Sequence, residues 1–367
     1  MRAFLATVAL LLAVVVAVNG LAALETRAHQ KRVRAAAAKF VPGQVLLGYR
    51  DRDERRFQQA RLEVIPPPRL VAFGSSRVMP VSTAMVGTPP GAFYNAGLSA
   101  ASVEDFIVLW SVLERRERLP ETALFSLDSW AFNRSHPQVR WLEWQSEVNR
   151  FVDTSRGRRA SFGGAVDWAM YGWYQGKELL SYTVFKSSLQ EFNRLRIGRS
   201  RRGQEIADAL ARDLVPEREA VGMRALRADG SLAYERAYVD QPLTQVRAEA
   251  QRFARVHRGN LENFVWDAER ATRLELLWSD MRARQVRLIA YVPPFHPVVW
   301  EDLNRDPRIR SALEETATFL ASLAGKLGVR FENFADPASV PCTEEEFLDG
   351  THARDSCLTR IVQRMLR

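Results

Sequence analysis

The chain has 367 residues, of which 47% are apolar, enough for a substantial core and too many for a protein disordered as a whole. Two cysteines exclude a disulfide-built scaffold or a cysteine-rich zinc module, and five scattered histidines leave little for a metal cluster, so no metal and no cofactor is expected. The net charge of +9 would suit nucleic acid, but ten Lys and Arg stand against four acids between Glu25 and Arg61; with Arg2 this arm carries +7, and about +2 is left for everything after it, so no nucleic-acid partner is expected.

Phe4 to Leu24 is uncharged over 21 residues, long enough as a helix to cross the hydrocarbon core of a bilayer and longer than the apolar stretch of a cleaved export signal. Residues 1–24 are therefore read as a transmembrane signal anchor. Arg27, Lys31, Arg32 and Arg34 come just after the span, and the positive-inside rule taken literally places the rest of the chain in the cytoplasm; a basic arm lying on anionic headgroups is compatible with either side. Residues 25–68 read as a basic juxtamembrane helix and linker ending in Pro66-Pro67-Pro68.

From residue 69 to 367 short apolar runs alternate with helical patterns. The runs are LVAF (70–73), AFYN (92–95), ALFSL (123–127), VRLIAYV (286–292) and VRFENF (329–334); helices are predicted over 102–118, over 308–327 and from about residue 353 to the end. Such alternation implies a parallel sheet covered on both faces. Between about 134 and 270 the pattern turns Trp/Tyr- and Arg-rich, with WAMYGWYQ (168–175) and RLRIGRSRR (194–202). This stretch is read as a helical insertion between the third and fourth strands, either a lid or partner surface or a subdomain that only packs on the sheet.

Two features carry candidate chemistry. The first strand runs into Gly74-Ser75-Ser76-Arg77, placing a serine at the carboxyl end of a parallel strand, ahead of a predicted helix, where open α/β sheets bind ligands. Before the last helix comes Asp349-Gly350-Thr351-His352, in which an aspartate three residues before a histidine can hold one ring nitrogen while the other takes a proton from a hydroxyl. Taken singly, each has a plainer explanation: a Gly-Ser turn caps helices, and an aspartate at such a spacing caps a terminus.

Together, and with Asn95-Ala96-Gly97 after the second strand, these blocks resemble the SGNH (GDSL-like) hydrolase superfamily over about residues 70–130 and 286–367. The family's blocks are Gly-Asp-Ser, a glycine after strand two, Gly-x-Asn-Asp and Asp-x-x-His. The resemblance implies a three-layer, flavodoxin-like parallel sheet, with Ser76 as nucleophile, His352 as general base and Asp349 as its orienter. It implies an oxyanion hole from the N–H groups of Ser76 and Gly97. Ser75 stands where the family usually has aspartate, as in a membrane-anchored branch resembling the D-alanyl-lipoteichoic-acid and alginate O-acetylation proteins. That branch implies a single-pass inner-membrane protein with its domain in the periplasm, a serine esterase or O-acyltransferase acting on acyl groups of envelope polysaccharide or glycolipid, and a membrane-bound O-acyltransferase as partner. A non-catalytic assembly protein on the same fold is the alternative.

Asp128 departs from the family, standing where the oxyanion asparagine belongs; either it turns away and Asn133 or Asn95 substitutes, or the site is weakened, or Asp128 caps the next turn. Arg77 could clamp an anionic substrate group or pair with a carboxylate, and His296, between Phe295 and Pro297, could touch substrate or be a loop residue. Cys342 and Cys357 bracket the Asp349 turn; joined, they would close a loop of about 15 residues worth about 3 kcal/mol in an oxidising compartment, and reduced, they would be two buried thiols.

Overall fold

The computed structural model describes residues 34–35, 37–47, 54–136, 140–157 and 214–367. The expected membrane span and the 168–175 and 194–202 stretches lie outside them, and no helix among the described residues is long and apolar enough to cross a membrane.

In chain order the elements are β1 (Gln44–Leu47), α1 (Glu54–Val64), β2 (Leu70–Gly74), α2 (Thr83–Val86), β3 (Phe93–Asn95), α3 (Val103–Arg115), β4 (Thr122–Ser126), α4 (Gln145–Ser155), β5 (Leu214–Pro216), β6 (Ala225–Arg227), β7 (Leu232–Ala233), α5 (Arg236–Val239), α6 (Leu243–Val256), α7 (Ala268–Ala283), β8 (Arg287–Val292), α8 (Pro297–Arg305), α9 (Pro307–Leu327), β9 (Arg330–Asn333) and α10 (Asp355–Leu366). Five strands form a wholly parallel sheet in the order β3-β2-β4-β8-β9. The chain lays β3 on one side of β2 and every later strand on the other, so the order reverses at β2. The crevice at the carboxyl ends of β2 and β4 is then the place where such sheets bind ligands.

Parallel strands are buried on both faces, which their near-continuous apolar runs require, and all five residues of β2 are buried. Alternate residues serve opposite faces. Val71, Phe73, Ala123, Phe125, Leu288 and Ala290 pack with α3, α7 and α9, where Phe73 and Phe125 stack at 5.0 Å. On the other face Ala72, Leu124, Ile289 and Tyr291 meet Leu358, Ile361 and Val362 of α10. Helix, sheet and helix make three layers. The α3 helix starts on a capping box of Ser102 and Asp105 and buries both acids of its first turn; Glu104 pairs with Arg270 and Arg273, and Asp105 with Arg55.

The second sheet is antiparallel, β5-β1-β6-β7, and it changes the reading of two segments. The stretch read as a helix and linker holds a strand, β1, which pairs with residues 214–216 and 225–227. It also holds α1, whose Phe57 and Ala60 close a small core with Phe40, Leu46 and Leu226. The stretch read as a helical insertion contributes β5, β6 and β7 as well as helices. Its strands fasten to the main sheet: Asp229 accepts from Thr83 N and Oγ1 at 2.8 and 2.7 Å, and its carbonyl accepts from Asn95 N at 2.7 Å. Gly230 sits so close to this seam, at φ +80°, that a Cβ would lie 2.1 Å from the Asn95 carbonyl oxygen; only glycine fits.

Candidate active site

Ser76 follows β2 on a turn through residues 75–80 and is half-buried. The helix expected after this strand is the four-residue α2, and it starts seven residues beyond Ser76: the turn between closes by Val78 N–H to Ser75 O and Val81 N–H to Val78 O. A helix dipole therefore does not bear on Ser76, and its hydroxyl is polarised by side chains alone. His352 supplies them, its Nε2 lying 2.8 Å from Ser76 Oγ and its Nδ1 2.7 Å from Asp349 Oδ2. With Nδ1–H donating to the carboxylate, Nε2 is free to accept the Ser76 hydroxyl proton.

The turn that carries the base is braced from within. Asp349 Oδ1 accepts from the N–H groups of Thr351 and His352 at 2.7 and 2.8 Å, Leu348 N–H donates to His352 O, and Phe347 and Ala353 form an antiparallel bridge. Burial opposes ionisation of Asp349, but the His352 ring and these two N–H donors outweigh it and hold the carboxyl well below the ordinary carboxylate range. Gly350 lies against α6 and α8, where a Cβ would come within 2.8 Å of Phe253. Cys342 and Cys357 are joined, closing the loop that contains Asp349 and His352 and tying it to α10.

Arg77 is engaged within the chain. Its buried guanidinium donates to Asp128 Oδ1 (2.8 Å), to Thr351 O (3.1 Å) and to Pro294 O, and lies 4.7 Å from the centre of the Phe295 ring. One side chain thus stitches the turn after β2 to the loops after β4 and β8 and to the residue before His352. The same contact accounts for Asp128: its carboxylate is turned to Arg77, which neutralises it.

His296 is likewise engaged within the chain. It is fully buried at the N-terminus of α8, its Nδ1 accepts from Val298 N–H at 3.2 Å, its own N–H donates to Gly350 O, and its ring meets Phe347 edge-on. Loss of solvation pulls its pKa down to about 4, so the ring is neutral at ordinary pH.

Two expected oxyanion donors are committed elsewhere. Gly97 N–H donates to Asn95 Oδ1 at 2.8 Å, while Asn95 Nδ2 is spent on the carbonyls of Val78, Met79 and Val81. Asn133 is fully buried, and its amide donates to Asn260 O and Glu262 O and accepts from the N–H groups of Ser135 and Val265; it ties the loop after β4 to the approach to α7. Of the expected donors, only the Ser76 N–H has no acceptor among the described residues.

Sequence reasoning missed a segment that reaches the site from the small sheet. Tyr238 O–H donates to Asp349 Oδ2 at 2.8 Å, and the Tyr234 ring stands edge-on to His352 with centroids 6.3 Å apart. A tyrosine pair at i, i+4 was the available signal, and nothing in it points to a partner 111 residues away. Among the described residues no group of three or more His, Cys, Asp or Glu is placed to hold a metal ion. Compared with known proteins, the chain matches no family model and no curated sequence.

Proposed function

We propose that this chain is a serine esterase or O-acyltransferase of the SGNH kind. The observation that carries the reading is the continuous contact from Ser76 Oγ through His352 to Asp349, at 2.8 and 2.7 Å. His352 Nε2 takes the hydroxyl proton as Ser76 Oγ attacks an acyl carbonyl, and returns it to the departing oxygen as the acyl-serine forms. In the second half, His352 takes a proton from water or an acceptor hydroxyl, which attacks the acyl-serine and frees Ser76. The β3-β2-β4-β8-β9 order, with the serine at the point of reversal, supports a flavodoxin-like SGNH fold.

The uncharged stretch 4–24 and the basic arm support an inner-membrane anchor, and the Cys342–Cys357 bond supports a domain on the oxidising, periplasmic side. That setting favours acyl groups on envelope polysaccharide or glycolipid, handed over with a membrane-bound O-acyltransferase. The engagement of Gly97 N–H with Asn95 and the burial of Asn133 favour a second reading, a non-catalytic partner that keeps the fold.

Exposure of the full chain in detergent to a fluorophosphonate probe separates the two. The enzyme reading expects covalent labelling of the native protein and its loss in Ser76→Ala. A folded native protein that never labels, with Ser76→Ala restoring envelope acylation as well as the native gene, establishes the non-catalytic role.

A further inference from the structure

Both oxygens of the Asp349 carboxylate are fully engaged. Oδ1 accepts from the N–H groups of Thr351 and His352 and, at 3.4 Å, from the Thr351 hydroxyl, and Oδ2 accepts from His352 Nδ1, all within its own turn. The one donor from outside that turn is Tyr238 O–H, 2.8 Å from Oδ2, the same oxygen that holds His352. Tyr238 belongs to α5, in a strap over residues 234–241 that leaves the small sheet at β7 and crosses the catalytic turn. Arg354 donates to Val239 O and Gln241 to Leu348 O, so the strap is fastened on both sides of the turn. The rings of Tyr234 and Tyr238 pack edge to face at 5.3 Å.

We propose that Tyr238 is a positioning residue for the triad, fixing the Asp349 carboxylate and sharing its charge with His352 through the common Oδ2. This rests on the serine-enzyme reading for its consequence on rate, but the hydrogen bond itself does not. A hydroxyl donating to Oδ2 draws charge from the Nδ1–H···Oδ2 bond; without it that oxygen is a stronger acceptor and favours the protonated ring. Burial and the Asp349 charge push the Tyr238 phenol far above its ordinary range, so it remains a donor wherever the protein is folded. The other ionisable groups felt in this neighbourhood come from every side: Glu54 from α1, Arg224 before β6, Tyr234 and Glu235 from the strap, Arg247 from α6, His296 before α8, and Glu345. Changing Tyr238 to phenylalanine leaves all of these side chains in the chain and removes only the hydroxyl.

The test uses the full chain in detergent. In Tyr238→Phe the low-field proton resonance of His352 Nδ1–H is expected to move further downfield, the probe-labelling rate to fall about tenfold, and the acid limb of its pH profile to move to higher pH, with thermal unfolding recorded alongside to show the fold is kept. Incorporating 3-fluorotyrosine at position 238 preserves the shape and strengthens the donor, so the resonance is expected to move upfield. An unchanged resonance and pH profile in both substituted proteins overturns the proposal, since a purely structural tyrosine would leave them in place. Native protein that resists the probe while its resonance still responds to Tyr238 overturns the enzyme reading alone.

Discussion

A buried histidine at a helix terminus is a pH-dependent liability, and His296 is one. As the cap of α8 it must accept from Val298 N–H at Nδ1, which only the unprotonated nitrogen can do. Its pKa is about 4 in the folded chain against an ordinary value of 6.5. Since the folded value is depressed, the group's stabilisation is complete above pH 6.5, declines as the unfolded chain takes up the proton between pH 6.5 and 4, and stays lost below that. At about 1.4 kcal/mol per unit the loss reaches about 3 kcal/mol. In His296→Asn the amide oxygen can take over the cap without titrating. Urea unfolding between pH 7.5 and 4 is expected to show a shallower decline in this variant than in the native chain, and parallel curves would refute the assignment.

Between elements, the geometry of the proposed site depends on loops that Arg77 binds together, and that dependence has a measurable size. Asp128 is its counter-charge, both side chains are nearly inaccessible, and removing one member of such a pair typically costs 3–5 kcal/mol because the other is left charged and buried. Asp128→Asn, nearly isosteric, is therefore expected to lose about 3 kcal/mol in urea unfolding and to label more slowly, because Thr351, held by the same guanidinium, precedes the base. A variant as stable as the native chain would show that the carbonyls of Thr351 and Pro294 suffice to hold Arg77. The strands and the two triad blocks were legible because a parallel strand buried on both faces spells itself in an apolar run, and chemistry at a strand's end sits beside that run. What escaped sequence reading had its partners far away. Four residues, QVLL, mean little until residues 214–227 arrive beside them. Polar α1 reads as part of a juxtamembrane helix and linker, outside the domain, because the groups that satisfy Arg55 and Arg61, namely Asp105 and the carbonyls of Ala37 and Phe40, lie at a distance along the chain. The acceptors of Gly97 and Asn133 were not legible for a similar reason: spacing locates these residues along the chain but does not say which acceptor their N–H groups will meet.

Across the whole molecule, contacts run from the arm before the main sheet to the Asp349–His352 turn. β1 pairs with β6, β6 with β7, and β7 leads into the strap that touches Asp349 and His352. Separately, α1 places Arg55 on Asp105 at 2.7 and 2.9 Å and Glu54 on Ser99 N–H at 2.9 Å, two residues beyond Gly97. The segment that begins as a basic arm is thus part of what holds the site. A chain beginning at Arg69, just before the first core strand, lacks β1 and α1; β5 and β6 lose the strand between them, Leu226 loses its cover, and Asp105 is left buried without its cation. It is expected to be poorly soluble or to unfold in dilute urea, whereas a chain beginning at Arg34 retains these elements and is expected to react with the probe at the rate of the full protein. If the shorter chain folded with the stability of the longer one and reacted as fast, the small sheet and α1 would be an appendage, and the strap would have to take its position from α10 and the catalytic turn alone.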